Sequence, residues 1–382
     1  MSSSSIAKGY RVICLGQPLM DITIHISDEF LAHMNLEKGG ARVIEKSILD
    51  DILSKGKKSS ASSYTVAPGG SGCNVLKGMA ALLDQKKSCA LIGKLGKISD
   101  PISKIYKDNL HEQGVSVVAK RSTTTETGMV LCLITPDGQR TMRSFLGASV
   151  EMTKENLFIT HFKQAQIIHI EGYAMYYLNV ALETIKMAKK CNTVVAFDCG
   201  SFEIVRNFGE QILKMVKNYV DILFCNEDEA ASLYPNKSPE EACFQLARYC
   251  AVSVVMNGSN GSYVACNINT IKARQHETRT RYLQNRKFDK STIKPNASFF
   301  SNTLNIQLFH CPASPIQKLV DTTGAGDSFT AGFLYGFIEG YPLRKCAYLG
   351  SLCGAAVVQI EGANMSQNTW RRLKQKVIKS AL

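Results

Sequence analysis

The residues best placed to do chemistry lie in one nonapeptide, Asp321-Thr322-Thr323-Gly324-Ala325-Gly326-Asp327-Ser328-Phe329. Gly324 and Gly326 carry no Cβ, so backbone N–H groups there can converge on one point. An apolar approach, Lys318-Leu319-Val320, precedes the motif, and a helical pattern follows from Ser328 to about Glu339. A helix N-terminus has orphan N–H groups and partial positive charge, which favour phosphate. Asp327 stands beside this cradle, and its charge repels a phosphate. Its chemistry there is that of a general base for an attacking hydroxyl, while the Gly324-Ala325-Gly326 loop stabilises charge on a transferring phosphoryl group. Gly332 and Gly336 let the helix approach a neighbour closely, and Gly340 with Pro342 ends it.

Such a loop needs a scaffold. Apolar runs at 11–16, 88–92, 166–171, 193–198, 220–226 and 252–257 read as strands. They are continuous rather than alternating, so both faces are covered. Helical patterns lie between them at 72–84, 180–190, 209–218 and 238–249. This succession predicts an α/β fold with a doubly wound, mostly parallel sheet. Two segments alternate instead: 21–27, and 127–146 with a hairpin turn at Pro136-Asp137-Gly138. Alternation leaves one face wet, which predicts a small β-sheet lid over the site. The expected domain spans 9–370, with lid segments near 21–48 and 115–147 and a basic insertion near 270–310. Residues 54–63 read as an exposed loop.

Three further motifs each have an ordinary reading. Pro68-Gly69-Gly70-Ser71-Gly72-Cys73-Asn74 contains a Gly pair before a helix, and alone that is a turn. In Asn226-Glu227-Asp228-Glu229, Asn226 and Glu229 have the spacing of a helix capping box. Val254-Val255-Met256-Asn257-Gly258-Ser259-Asn260-Gly261 is a strand running into a glycine turn.

The 382 residues are 45% hydrophobic and 20% charged, enough for a large core. That balance excludes a disordered chain, a collagen-like repeat and a disulfide-stapled miniature scaffold. Thirteen cysteines without a C-x-x-C motif read as reduced thiols of a cytoplasmic protein. Residues 1–9 lack the apolar core of a signal peptide. No run reaches the roughly 18–20 apolar residues that cross a bilayer, so no membrane partner is expected. The seven histidines form no H-E-x-x-H, which argues against a dedicated zinc site. Nearly half of the net charge of +13 comes from 272–294, where eight Lys and Arg face only Glu277 and Asp289, and the remainder is spread along the chain. Only Tyr282 and Phe288 could stack bases there, which argues against nucleic acid. A non-catalytic nucleic-acid-binding scaffold remains the competing class.

The nonapeptide resembles the C-terminal signature of the ribokinase-like (PfkB-type) carbohydrate and nucleoside kinases. Residues 68–74 resemble the family's N-terminal Gly-Gly signature, 226–229 its N-x-x-E motif, and 254–261 its glycine turn beside the ATP phosphates. All four occur in the family's order. The resemblance implies a doubly wound α/β domain with a β lid, ATP as co-substrate and Mg²⁺, with a monovalent cation left open. It assigns Gly324, Ala325 and Gly326 to the anion hole and Asp327 to the catalytic base. It puts Asn226, Asn257, Gly258, Gly261 and Thr323 on the nucleotide, Glu229 on Mg²⁺ through water, and Gly69, Gly70 and Asn74 on the acceptor.

Gly16-Gln17-Pro18-Leu19-Met20-Asp21-Ile22 is similar to the adenosine kinase branch, in which the Asp binds ribose hydroxyls. A carboxylate can accept from two vicinal hydroxyls, so Asp21 suits a diol clamp, although a strand-end Asp can also cap a turn. Gln17 stands where the branch carries Asn. Residues 138–148 resemble the branch's segment with an Arg near the phosphates, and Arg140 matches it. Arg143 has no match and reads as a solvated lid residue. The implied reaction is ATP-dependent phosphorylation of the 5′-hydroxyl of adenosine or another nucleoside, with a free sugar or sugar phosphate as the alternative acceptor. A monomer or homodimer is expected.

Overall fold

The computed structural model describes residues 9–59, 64–85, 88–270 and 305–380. The chain begins with β1 (Val12–Leu15), β2 (Leu19–His25), α1 (Asp28–His33), β3 (Ala41–Val43), α2 (Lys46–Ser59), β4 (Thr65–Gly69) and α3 (Ser71–Leu83). It continues through β5 (Cys89–Leu95), α4 (Pro101–Glu112), β6 (Val115–Arg121), β7 (Thr127–Ile134), β8 (Arg140–Gly147), β9 (Ile167–Glu171), α5 (Leu178–Lys190), β10 (Val194–Asp198) and α6 (Phe202–Tyr219). It ends with β11 (Ile222–Asn226), α7 (Glu227–Leu233), α8 (Pro239–Leu246), β12 (Val252–Met256), β13 (Ser262–Asn267), β14 (Ile306–Cys311), α9 (Ala325–Ile338), α10 (Leu343–Val357) and α11 (Gln367–Ile378).

Nine strands form the large sheet in the order β14-β13-β12-β11-β10-β9-β1-β5-β6. All neighbours from β6 to β12 are parallel, and β13 and β14 add antiparallel strands at one edge. The apolar runs have a direct cause. In β1, Val12 and Cys14 enter the core shared with α3, α9 and α10, whereas Ile13 and Leu15 enter the core shared with α5, α6 and α8. A strand buried on both sides cannot alternate. The expected α/β class and mostly parallel sheet are present. All thirteen cysteines are free thiols, and all but Cys191 are buried. Among the described residues no helix is long and apolar enough to cross a membrane.

A second sheet, ordered β3-β8-β7-β2-β4, contains the alternating segments. Arg140 on β8 pairs with Asp321, and His25 on β2 lies 3.0 Å from Glu361, so two contacts join it to the C-terminal part of the chain.

Helix α9 is apolar all round, because it packs between the sheet, α3 and α10. A Cβ on Gly332 would lie 2.9 Å from the Leu349 carbonyl and from Cys353 Sγ, so the α9–α10 seam closes only around glycine.

The structure corrects several expectations. Residues 54–59 belong to α2 rather than a loop, since Leu49, Ile52 and Gly56 repeat at helical spacing and are buried; 60–63 lie outside the described residues. Residues 115–121 form β6, whose parallel register with β5 puts them in the large sheet, not the lid. The lid instead gains β4, beyond the expected limit at 48. Residues 306–310 of the expected insertion are strand β14, paired with β13, and 271–304, including Tyr282 and Phe288, lie outside the described residues. The helix expected at 209–218 starts at Phe202, where Ser201 caps it. Leu319 and Val320 are exposed coil, anchored by Val320 N–H to the Val358 carbonyl.

Candidate active site

Of the expected site residues, Gln17, Asn226 and Asn257 follow or end β1, β11 and β12 at their C-terminal ends, where ligands bind in open α/β sheets. Gly324 precedes α9 with φ +71°, and a Cβ there would lie 2.6 Å from that of Ala363. Conformation and space both require glycine. Asp327 is in the first turn of α9. Its Oδ1 accepts from Ser71 Oγ at 2.7 Å and its Oδ2 from Asn74 Nδ2 at 2.9 Å. Ser71 is the first residue of α3, so two helix N-termini meet at this carboxylate. Burial pushes the Asp327 pKa above the usual carboxylate range, while the Asn74 and Ser71 hydrogen bonds and the Lys77 charge oppose it.

Asp21, on β2, lies against the facing strand. A Cβ on Gly69 would sit 2.0 Å from the Asp21 carboxyl carbon, so only glycine leaves room for it. Burial raises the Asp21 pKa to about 7; Lys77 and Arg140 pull it down and Asp327 pushes it up. Gly70 has φ +92°, and a Cβ there would meet the Gln17 carbonyl at 2.6 Å. Gln17 Nε2 and Asn74 Oδ1 are buried without a hydrogen-bond partner.

Four participants escaped the sequence reading: Glu171, Asp198, Lys77 and the pairing role of Asp321. Glu171 ends β9 and is 1% exposed. It accepts from Gln17 N–H at 2.6 Å and Gly72 N–H at 2.7 Å, joining the loop before Asp21 to the start of α3. Asp198 ends β10 and accepts from Gly200 N–H at 3.0 Å and the Thr330 hydroxyl at 3.4 Å. Burial raises both carboxyls to about 7. The available signal was an acid closing a mostly apolar strand, as in Ile167–Glu171 and Val194–Asp198.

Asn226 and Glu229 bond each other in a capping box: Glu229 accepts from Asn226 N–H at 2.9 Å, and Asn226 Oδ1 accepts from Glu229 N–H at 2.8 Å. Burial, then Asp198, raise Glu229 to about 8. Asn257, Gly258 and Gly261 form the turn after β12, where Asn257 N–H donates to the Gly261 carbonyl at 2.8 Å. Met256, just before it, lies 3.6 Å from a Cβ built on Gly326. Asp321 accepts from Thr323 N–H at 2.8 Å and Gly362 N–H at 2.6 Å, besides pairing with Arg140. Arg140 therefore reaches the nonapeptide but is held by a carboxylate. Arg143 is not solvated: it is 3% exposed and donates to the Met142 and Glu37 carbonyls. An odd spacing on a strand turns it to the opposite face from Arg140.

These acids predict a pH dependence of stability. Asp21, Glu171 and Asp198 at about 7 and Glu229 at about 8 all lie above their unfolded values. The folded state then holds protons that the unfolded chain releases, so this stability is complete below about pH 4 and lost as pH rises through 7 to 8. His169, buried and lowered to about 4, acts oppositely, but only below its ordinary 6.5. The Tm of the ligand-free protein should fall between about pH 6.5 and 8.5. Asp198→Asn can retain the Gly200 and Thr330 contacts and should flatten the slope; a slope equal to the wild type would contradict this.

The geometry defines a doubly wound α/β protein with a carboxylate at a glycine-lined helix start. The model of the pfkB family of carbohydrate kinases matches residues 37–279 and 295–370. The chain belongs to this family and is a phosphotransferase of the carbohydrate and nucleoside kinase class. It is 24% identical over 368 residues to adenosine kinase from Dictyostelium discoideum, covering 93% of this chain and 96% of that protein. A probable sugar kinase protein from Rhizobium etli CFN 42 superposes with a TM-score of 0.77 at 25% identity, covering 96% and 98%. Adenosine kinase from Sinorhizobium meliloti gives 0.76 at 24%, covering 97% and 100%.

Proposed function

We propose that the protein transfers the γ-phosphoryl group of ATP to a nucleoside, with the 5′-hydroxyl of adenosine as the preferred acceptor. One observation carries this reading: Asp21 and Asp327 flank the same short loop. Gly69 leaves room for the Asp21 carboxyl, and Ser71 and Asn74 hold Asp327. A sugar gripped by its vicinal hydroxyls at Asp21 can then offer another hydroxyl to Asp327. The likeness to adenosine kinases supports the nucleoside, and the Gly16–Ile22 motif supports adenosine.

In this mechanism Asp327 takes the hydroxyl proton as the acceptor oxygen bonds to the γ-phosphorus. The bond from phosphorus to the β,γ-bridging oxygen breaks and ADP leaves. A raised pKa suits a base working near neutrality. The Gly324-Ala325-Gly326 N–H groups and the α9 N-terminus stabilise charge on the transferring group. Arg140, drawn to Asp321, holds the loop from the second sheet and adds positive potential. Gln17 Nε2 and Asn74 Oδ1 offer the acceptor one unpaired donor and one unpaired acceptor, with Gly70 keeping the backbone close. Asn226, Asn257, Gly258, Gly261 and Thr323 are assigned to the nucleotide.

Buried Glu229, raised by burial and then by Asp198, fits a nearby divalent cation, although no group of three such ligands occurs among the described residues. Glu229 would hold Mg²⁺ through water, and the ion would neutralise phosphate charge. The free thiols support a cytoplasmic location.

A sugar or sugar-phosphate acceptor is the second reading, favoured by the probable sugar kinase of similar fold. The purified protein with Mg²⁺ and ATP should be offered adenosine, guanosine, inosine, cytidine, ribose, fructose and fructose 6-phosphate. The highest kcat/KM is expected for adenosine. Preference for a free sugar would select the second reading, and no turnover with any acceptor would reject both.

A further inference from the structure

Lys77 lies one helical turn beyond Asn74 on α3 and is 7% exposed. Its Nζ donates to the Pro68 carbonyl on β4 at 2.9 Å and to Asn364 Oδ1 at 2.6 Å. Both acceptors are neutral, and no carboxylate of the described residues lies within 4 Å of it. A buried ammonium is costly unless its charge is balanced nearby. Here two neutral acceptors hold it, and it forms no ion pair with an acid of the described residues. Its field instead reaches Asp21 and Asp327 together, lowering the pKa of each against burial.

We propose that Lys77 is a positioning residue, a fixed counter-charge set between β4, the strand that faces Asp21, and the α3 turn that holds Asp327, and that it also ties the second sheet to the C-terminal segment. The proposal rests on the kinase reading of the site and names what sets its working pH. The other groups facing the pair are known from each packed element. Arg140 on β8 adds positive charge near Asp21, while Glu171 on β9 and Asp198 on β10 add negative charge near Asp327. Cys14, Cys73, Tyr106 and Tyr173 have pKa values raised by burial and stay neutral in the working range. Lys77 is thus the cation common to both acids.

The test is the pH profile of kcat and of kcat/KM for the acceptor, at saturating ATP, with Tm recorded for every variant. In Lys77→Met the acid limb should move up by about one pH unit, giving about tenfold lower turnover at pH 6 and a much smaller loss at pH 8. Lys77→Arg should keep the wild-type limb. Lys77→Gln, which retains a donor for Pro68, should shift like Lys77→Met and separates charge from tethering. A uniform loss with an unmoved limb in the Met and Gln variants, or an equal shift in the Arg variant, would overturn the proposal. Asp327→Asn measured alongside keeps the two readings apart. If it stays active, the kinase mechanism fails; if it is inactive and the Lys77 variants show no shift, only this inference fails.

Discussion

Asp327→Asn should lower kcat by about 10²–10⁴-fold, the range expected when a general base is lost. The fold should survive. Asn can still accept from the Ser71 hydroxyl, and the Asn74 amide can turn to present Oδ1, which has no partner in the wild type. Tm and ATP affinity should therefore stay near wild-type values while turnover collapses. Steady-state kinetics with a melting curve and an ATP titration decide it. Turnover within about fivefold of wild type would remove Asp327 from the reaction.

Asp21→Ala has the next largest expected effect, on the acceptor rather than on the chemical step. Two hydrogen bonds from sugar hydroxyls to a carboxylate are worth about 1.5–3 kcal/mol each. Their loss should raise the acceptor KM by about 10²-fold or more, with the ATP KM nearly unchanged. Gly69→Ala should act in the same direction with Asp21 intact, because its Cβ would fall 2.0 Å from the Asp21 carboxyl carbon. A change confined to ATP affinity would contradict the diol assignment.

The large sheet was legible because its strands are buried on both faces, and burial alone writes continuous apolar runs. The nonapeptide was legible because glycines, an acid and a helix start coincide there. Helix α2 was hidden by a basic, serine-rich surface: only Leu49, Ile52 and Gly56 are buried. Strand β6 was hidden because an edge strand with one partner shows intermediate burial along most of its length. Glu171 and Asp198 were missed for another reason. Each is a single acid after an apolar run, and only the folded sheet brings it to Gln17, Gly72 or Thr330. Lys77 carries no local sign of burial; only the fold covers it, through the Pro68 carbonyl on β4 and Asn364. The Arg140–Asp321 pair links positions far apart in sequence, and no local pattern announces such a contact.

The seam between α9 and α10 divides the molecule's capacity for change. Around Gly332 there is no slack for even a methyl group, so the end of α9 that carries Asp327 inherits the stiffness of the protein's centre. The second sheet has freer surfaces, including β3, which is exposed throughout. A lineage adapting to a new acceptor would therefore accumulate its substitutions in the second sheet, whereas an alanine at 332 would impair turnover in a molecule whose contacts with both substrates are all retained.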